Sequence, residues 1–571
     1  MHCTGSSRLS LTACGYALLC LAATGLGAEP ANPGEPGEPV ALTGTAVIRP
    51  AEVVNPEIIG AGVNFAFSDY TYIDFVTGGE WTGIRSQHLP RPDDDAEWDR
   101  FMGLMDFSGF QYVRLCVGVT QWEPVNDNDD PHRLNLEDGF AFSPGFEAKH
   151  PETGANNRLY MDAMHRLLDH WEQRGLYVVL GNWWSGPGTF CPNGENWLLE
   201  RGEDGEPLDF RERHRLSVVS LEEFTESLAA IMVHLKRERG YDCVKGISMW
   251  NEPEHVDNYY ETLSAVYNSL AAQLERHGIR DRVRIQAFDG ALFWNRESGG
   301  VTDGVSRLLG LAGDSIDIVS FHDYNGKLDH QRDEVFPNVH GTISDYTIDR
   351  IVRPALEQAR RADGTPLPVV AGEFGSFAYT GPEGDTSKAE YRQRLHNAAA
   401  TAEIFNHGAK AVAYWIYNNN YHAYWRMLTF DRGTAEHFVP DPTNYYPLAL
   451  VMKYIPRGSS IVATDLSGFT DGRGLRRVYM TAAVNGAETT LLWVNAAQMP
   501  AEVTVTGLDP GIRFRQWQVT AGTHDRILRL PDWAGDSRQL ELAPESITVL
   551  TTYTYGAETV DHGRENRSAV P

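Results

Sequence analysis

The chain has 571 residues, 42% of them hydrophobic and 22% charged, with a formal net charge of −28. That length accommodates one barrel of about 250 residues or more together with a smaller module. The acidic balance argues against nucleic acid or an anionic membrane as a partner and fits an acidic, soluble surface.

Residues 1–28 carry the marks of an export signal: Arg8 supplies a small positive start, 9–26 is mostly apolar, and Leu26-Gly27-Ala28 offers a cleavage site. The expected location is therefore secreted or periplasmic. Leu11-Thr12-Ala13-Cys14 imitates a lipoprotein box, but the apolar run mostly follows it instead of preceding it. No later stretch is long enough to span a bilayer. Cys3, Cys14 and Cys20 leave with the signal, and Cys116, Cys191 and Cys243 remain. They allow one disulfide at most and match no zinc spacing. Residues 29–56 comprise a Pro/Gly/Glu linker and a strand-like run at 40–48 that precedes the barrel and can complete a later sheet.

Over 57–455 apolar strand runs alternate with helical patterns. The expected strands are 57–65, 111–117, 176–182, 244–249, 283–287, 316–321, 368–373 and 411–416. Between them, Trp98, Phe101, Met102 and Met105 recur at helical spacing, as do Leu159, Ala163, Leu167 and Trp171 ahead of a stop at Gly175. Ser220 and Glu223 form a capping box, and further helices are expected near 263–274, 305–311, 345–361, 389–405 and 447–454. Eight strand–helix units in order predict an α/β fold, a (β/α)₈ TIM barrel. A doubly wound open sheet is the alternative, but Gly60-Ala61-Gly62 lacks the third glycine of a dinucleotide turn.

After Pro456 the rhythm changes to short alternating runs at 477–483, 489–494, 501–505, 514–519 and 546–553, separated by turns such as Asn485-Gly486. Residues 456–555 thus read as a small C-terminal antiparallel β-sandwich that braces the barrel, and 556–571 as a polar, disordered tail.

Two stretches carry the chemistry. In Gly246-Ile-Ser-Met-Trp-Asn-Glu-Pro-Glu-His255 a buried strand ends abruptly at Pro253, which leaves Glu252 at its carboxyl end. A carboxylate there costs free energy unless it is hydrogen-bonded or protonated. Pro368-Val-Val-Ala-Gly-Glu373-Phe-Gly-Ser376 has the same form. Two acids at the carboxyl ends of two barrel strands can face each other, and paired carboxylates are what glycoside hydrolysis needs. The strand ends in turn hold Asn64, Arg114, Asn182, Asn251 with Glu252, Asp289, His322 with Tyr324, Glu373 and Trp415.

Taken together, Trp250-Asn-Glu-Pro253 and Gly372-Glu-Phe-Gly375, on the fourth and seventh strands, resemble the retaining glycoside hydrolases of clan A, most closely the cellulase-like family five. The resemblance covers roughly residues 57–455. It implies a double displacement in which Glu373 is the nucleophile and Glu252 the acid and then the base, with a carboxyl–carboxyl gap of about 5–5.5 Å. Arg114 and Tyr324 are expected to hold Glu373 ionised, and packing against Trp250 to keep a proton on Glu252. It also implies that Asn251 contacts the sugar 2-hydroxyl, that His322 and Tyr324 orient the glutamates, that Arg114 supports the site and that Trp415 floors it. Asn182 and Trp183 stand where the family usually has a histidine and are expected to bind substrate too.

Trp122, Trp183, Trp184, Trp197 and Trp294 fall in or near long loops, where about half are expected to stack on sugars and the rest to be loop core. Glu254 and His255 read as loop residues, and Asp127–Asp130 as a solvated acidic turn without the glycine or spacing of an EF-hand. No metal or cofactor is called for, and the chain is expected to act as a monomer on a plant- or algal-type carbohydrate with a β linkage. A non-catalytic carbohydrate-binding protein on the same scaffold is the competing reading. A serine esterase lacks its Gly-x-Ser-x-Gly, and a metallohydrolase its His-Glu-x-x-His.

Overall fold

The computed structural model describes residues 41–67, 89–90, 94–143, 145–146, 157–182, 197–198, 221–251, 259–290, 303–324, 344–376, 386–418, 425–430, 438–471, 474–536 and 538–556. The export signal, Cys191 and Ser220 lie outside these residues. After a first long strand, β1 (Leu42–Asn55), eight parallel strands close into a barrel: β2 (Gly60–Ala66), β3 (Tyr112–Val117), β4 (Tyr177–Asn182), β5 (Val244–Ser248), β6 (Arg284–Gly290), β7 (Ile318–Asp323), β8 (Val369–Phe374) and β9 (Ala411–Tyr414). Pairing of β2 with β9, from Gly60↔Ala411 to Val63↔Tyr414, closes the ring. The fold is thus the expected (β/α)₈ barrel, and the open sheet is excluded.

The helices form as their apolar spacing predicts. In α1 (Asp95–Ser108), Trp98, Phe101, Met102 and Met105 are buried, Asp94 accepts the Glu97 N–H, and Gly109 at φ 69° closes the end with an N–H to Met105 O. The other helices are α2 (Asn157–Arg174), α3 (Leu221–Val233), α4 (Tyr259–Arg276), α5 (Gly304–Ala312), α6 (Arg353–Gln358), α7 (Thr386–Asn406) and α8 (Tyr445–Lys453). The single helix expected over 345–361 is instead a π-wound segment, Ser344–Val352, running into α6. A short ladder of β10 (Leu428–Phe430) and β11 (Phe438–Pro440) was not foreseen; Phe438 packs 4.6 Å from Phe101. Among the described residues no helix is long and apolar enough to cross a membrane.

The remaining strands are β12 (Ser460–Ser467), β13 (Val478–Asn485), β14 (Glu488–Asn495), β15 (Ala501–Thr506), β16 (Arg513–Thr520), β17 (Leu528–Ala534), β18 (Gln539–Leu542) and β19 (Ser546–Thr551). With β1 they make one nine-stranded sheet, ordered β17-β16-β19-β14-β13-β12-β1-β15-β18, antiparallel except where β1 meets β15. Phe514 and Trp533 from one end share a core with Leu540 and Leu542 from the other, so the sheet folds over on itself. Its outer face (Tyr479, Leu492, Val494, Val519, Ile547) belongs to the barrel's own core. Asn406 and Tyr391 of α7 donate to Met480 O (2.8 Å) and Val519 O (3.0 Å), and Arg392 pairs with Glu545 at 2.6 Å. Each apolar side chain buried in that seam contributes about 1.5–3 kcal/mol, so the sheet is part of what holds the barrel helices.

Candidate active site

Inside the barrel the side chains lie in layers. Tyr112, Tyr177, Val179, Ile318, Val370, Ala411 and Ala413 form an apolar floor toward the amino ends of the strands. One step along each strand, on the same face, the composition turns polar: Asn64, Arg114, Gln286, Ser320 and Asp289, all fully buried. The apolar floor shields this layer on one side, so every charge in it must be met inside the protein.

Arg114 meets that demand. Its Nε donates to Asp289 Oδ2 (2.8 Å), Nη1 to Asn64 Oδ1 (3.0 Å) and to Glu373 Oε1 (2.8 Å), and Nη2 to Asn251 Oδ1 (2.7 Å). Asn64 in turn donates to Gly372 O at 2.9 Å. Burial alone would lower the Arg114 pKa, but the Asp289 and Glu373 carboxylates outweigh it and the net direction is upward. Asp289 shows the converse: burial pushes its pKa up most strongly, yet Arg114, His322 and hydrogen bonds from Ser248 and Ser320 leave it below its ordinary value.

Asp289 reaches the layer through a bulge. Phe288 (φ 81°) and Asp289 (φ 38°) both occupy the left-handed region, and the β6–β7 register shifts between Ala287 and Gly290. The extra residue lets Gln286 and Asp289, three apart, face inward together, and Gln286 donates to Asp289 Oδ1 at 2.9 Å. Left-handed non-glycine residues cost about 1–3 kcal/mol each and persist only where the surrounding contacts hold them. Two glycines leave room for it. A Cβ on Gly372 would lie 2.2 Å from Ser320 Oγ and 2.6 Å from Asp289 Oδ1, and one on Gly181 would lie 2.9 Å from Arg114 Nε.

Above this layer, at the carboxyl end of β8, Glu373 is 3% exposed. The Tyr324 hydroxyl donates to its Oε2 at 2.6 Å, and His322 Nδ1 stands 3.5 Å from the same oxygen. The structure therefore brings Arg114, Asn251, His322, Tyr324 and Glu373 together. Asn182 lies at the rim: its Nδ2 donates to Met249 O at 3.0 Å, and its buried Oδ1 has no hydrogen-bond partner among the described residues. Trp415 packs on Cys116 and Ile416, with Tyr324 and Trp425 against them. Glu252 and Trp183 lie outside the described residues, and with them the expected carboxyl–carboxyl gap.

Asn64 and Asp289 stood at strand ends in the sequence without a role; both hold Arg114. Gln286 and Ser320 were not singled out, although each lies at inward spacing on its strand. Trp425, 5.3 Å from Tyr324 and donating to Ser376 O at 2.8 Å, comes from the segment between β9 and β10 and carried no local signal. Trp122, weighed as a sugar-stacking residue, is fully buried and donates to Ser227 O at 3.1 Å. Trp197 is half-buried and donates to Glu123 O at 2.8 Å; Trp184 and Trp294 lie outside the described residues. The acidic turn at Asp127 is not simply solvated: Asp127 Oδ1 is buried, while Oδ2 accepts from Asn128 Nδ2 (2.6 Å) and Asn135 N (2.9 Å). Cys116 and Cys243 are buried. A cavity of about 250 Å³ beside Gln111 and Leu176 sits at the opposite, amino end of the barrel from Glu373.

No protein-family model matches this sequence, and no curated protein matches it. Solved structures do match its shape. The catalytic domain of the family 30 xylanase C from Talaromyces cellulolyticus aligns over 89% of this chain and 100% of its own, at 14% identity and a TM-score of 0.56. An endo-β1,6-glucanase aligns over 90% and 95%, at 13% identity and 0.54. A family 51 α-L-arabinofuranosidase from Bifidobacterium longum aligns over 89% and 99%, at 14% identity and 0.53. These neighbours are clan A glycoside hydrolases, and family five, which the motifs resemble most closely, is not among the three. At such identities the likeness is one of fold: the barrel and its appended sheet together.

Proposed function

We propose that this chain is a retaining glycoside hydrolase with Glu373 as nucleophile and Glu252 as acid and base. The observation that carries the reading is the clamp on Glu373, with one carboxylate oxygen held by Arg114 at 2.8 Å and the other by Tyr324 at 2.6 Å. Such a clamp presents a carboxylate in one orientation at the barrel's reactive end, as in-line attack requires. In the first step a Glu373 oxygen bonds to the anomeric carbon as the glycosidic C–O bond breaks, and Glu252 gives its proton to the departing oxygen. In the second, Glu252 takes a proton from water, the water oxygen bonds to the anomeric carbon, and the ester bond to Glu373 breaks.

Asn251, held by Arg114, is suited to the sugar 2-hydroxyl, and Asn182, whose amide oxygen is unpartnered, to another hydroxyl. Trp415 and Trp183 would supply apolar faces. The substrate is proposed to be a plant- or algal-type β-linked carbohydrate. The neighbours' own names, xylanase, glucanase and arabinofuranosidase, span several sugars. Residues 1–28 support export.

Hydrolysis of a panel of defined polysaccharides, with the anomer followed by NMR, tests this. Retention of configuration is expected. Glu373→Gln should abolish turnover. Glu252→Ala should keep activity only on substrates with activated leaving groups and regain it with azide as the nucleophile. Inversion would overturn the assignment, and undiminished biological activity in both variants would favour binding without catalysis.

A further inference from the structure

Away from Glu373, three carboxylates meet without a counter-charge among the described residues. Glu123 follows the short 3₁₀ turn Val119–Gln121 after β3, Asp127 lies four residues on, and Glu226 sits on α3. One oxygen from each lies within 4.8 Å of the others. Glu123 and Glu226 are fully buried. Among the described residues neither oxygen of Glu226 accepts a hydrogen bond, nor do Glu123 Oε2 and Asp127 Oδ1. The amide oxygen of Asn126, in the same turn, is also buried and unpartnered.

A buried carboxylate with no donor at either oxygen costs several kcal/mol unless it is neutralised. Helix position does not relieve it: Glu222 and Glu223 occupy the first turn of α3 and can use its amino-terminal field, whereas Glu226 lies beyond it. The charges acting on Glu226 are those of Glu123, Asp127 and Glu223, all acidic. Burial first, then these neighbours, pushes Glu226 up to about 10, and burial raises Glu123 well above its ordinary value against a hydrogen bond from Ser227.

We propose that Glu123, Asp127 and Glu226 bind one calcium ion that ties the loop after β3 to helix α3. Two oxygens on one calcium ion at about 2.4 Å lie at most about 4.8 Å apart, and the three oxygens here fall within that limit. An all-oxygen donor set without His or Cys selects a hard cation and not zinc. Magnesium prefers to keep several waters and a tighter octahedron, which a dry, three-carboxylate cluster does not favour.

The ion's place in the fold gives it a task. Trp122, next to Glu123, donates to Ser227 of α3, and Trp197, from the loop after β4, donates to Glu123 O. Both loops rise from the barrel end that holds Glu373. A cation at this junction would fix two walls around that end without touching Glu373.

The full chain is dialysed against chelator, then equilibrated with calcium, magnesium or manganese chloride, and bound metal is counted by mass spectrometry alongside thermal melts. The expected result is one calcium per chain, a rise in Tm of about 3 °C or more at saturation, and protection of residues 118–143 from limited proteolysis. Glu226→Gln and Asp127→Asn should each lose the calcium response. The wild-type stoichiometry decides the matter even if a variant fails to fold. No calcium bound at 1 mM, a response confined to magnesium or manganese, or an undiminished calcium response in Glu226→Gln would each overturn the proposal.

Discussion

Arg114 donates from Nη1 to Oε1 of Glu373 at 2.8 Å while its Nε holds Asp289 at the same distance. One buried guanidinium thus anchors a carboxylate in the barrel's interior and another at its reactive rim. Arg114→Met would leave Asp289 buried without its main counter-charge, a loss of about 3–5 kcal/mol. Urea denaturation should show it as a lower midpoint. Arg114→Lys keeps the charge but cannot reach four acceptors from one planar fork, so it should recover only part of the stability and little of the activity.

Tyr324 touches Glu373 through one charge-assisted hydrogen bond. Such a bond contributes about 1.5–3 kcal/mol, so Tyr324→Phe should lower kcat by roughly 10- to 100-fold. KM should change little, because the hydroxyl orients the carboxylate instead of the substrate. Steady-state kinetics on a substrate found in the hydrolysis panel separate the two parameters; a rise in KM alone would assign Tyr324 to substrate binding.

Gly372 precedes Glu373, and the space beside it is filled by Ser320 and Asp289. Gly372→Ala should cost about 1–3 kcal/mol through overpacking. Because the displaced groups hold Arg114, and Arg114 holds Glu373, activity should fall as well. Guanidinium melts and turnover measured on the same preparation check both effects.

The acidic cluster predicts a pH signature in metal-free protein. Glu226, pushed up to about 10, faces Glu123, Asp127 and Glu223, and Glu223 faces Asp127, Asp129, Asp130 and Glu222. Raised folded-state values mean that the folded chain holds protons the unfolded chain has released. Stability from these groups is therefore full below about pH 4.5 and is lost as pH rises toward 10. Melts of chelator-treated protein from pH 5 to 9 should show a steady fall, and calcium should flatten it, because the cation replaces the protons. A metal-free profile that rises across this range would contradict the raised values.

Much of this molecule is legible locally. Apolar runs of strand length, helical spacing and Gly175 as a stop rest on contacts between near neighbours, so the barrel and the strand-end position of Glu373 could be read from the chain alone. Tyr324 was legible because it follows an apolar run whose end, on a closed barrel, meets the others; Arg114 was legible through the resemblance, which marks an arginine on the second strand, although it lies within β3 and not at its end. Where local pattern and tertiary context part, the sequence is silent. Pro531 argues against a strand, yet β17 is at the edge of the sheet, where a missing N–H costs little. Strand β1 is paired by β12 and β15, more than 400 residues away, and nothing in its own residues names those partners.

The sequence alone determined the succession of elements, because hydrophobic period and turn chemistry are properties of short stretches. Only the tertiary structure decided which charges share a dry interior. The bulge that turns Asp289 toward Arg114, and the fold that carries Glu226 to Glu123 and Asp127, are long-range arrangements, and the cost of an unmet buried charge can be assigned only once its surroundings are known.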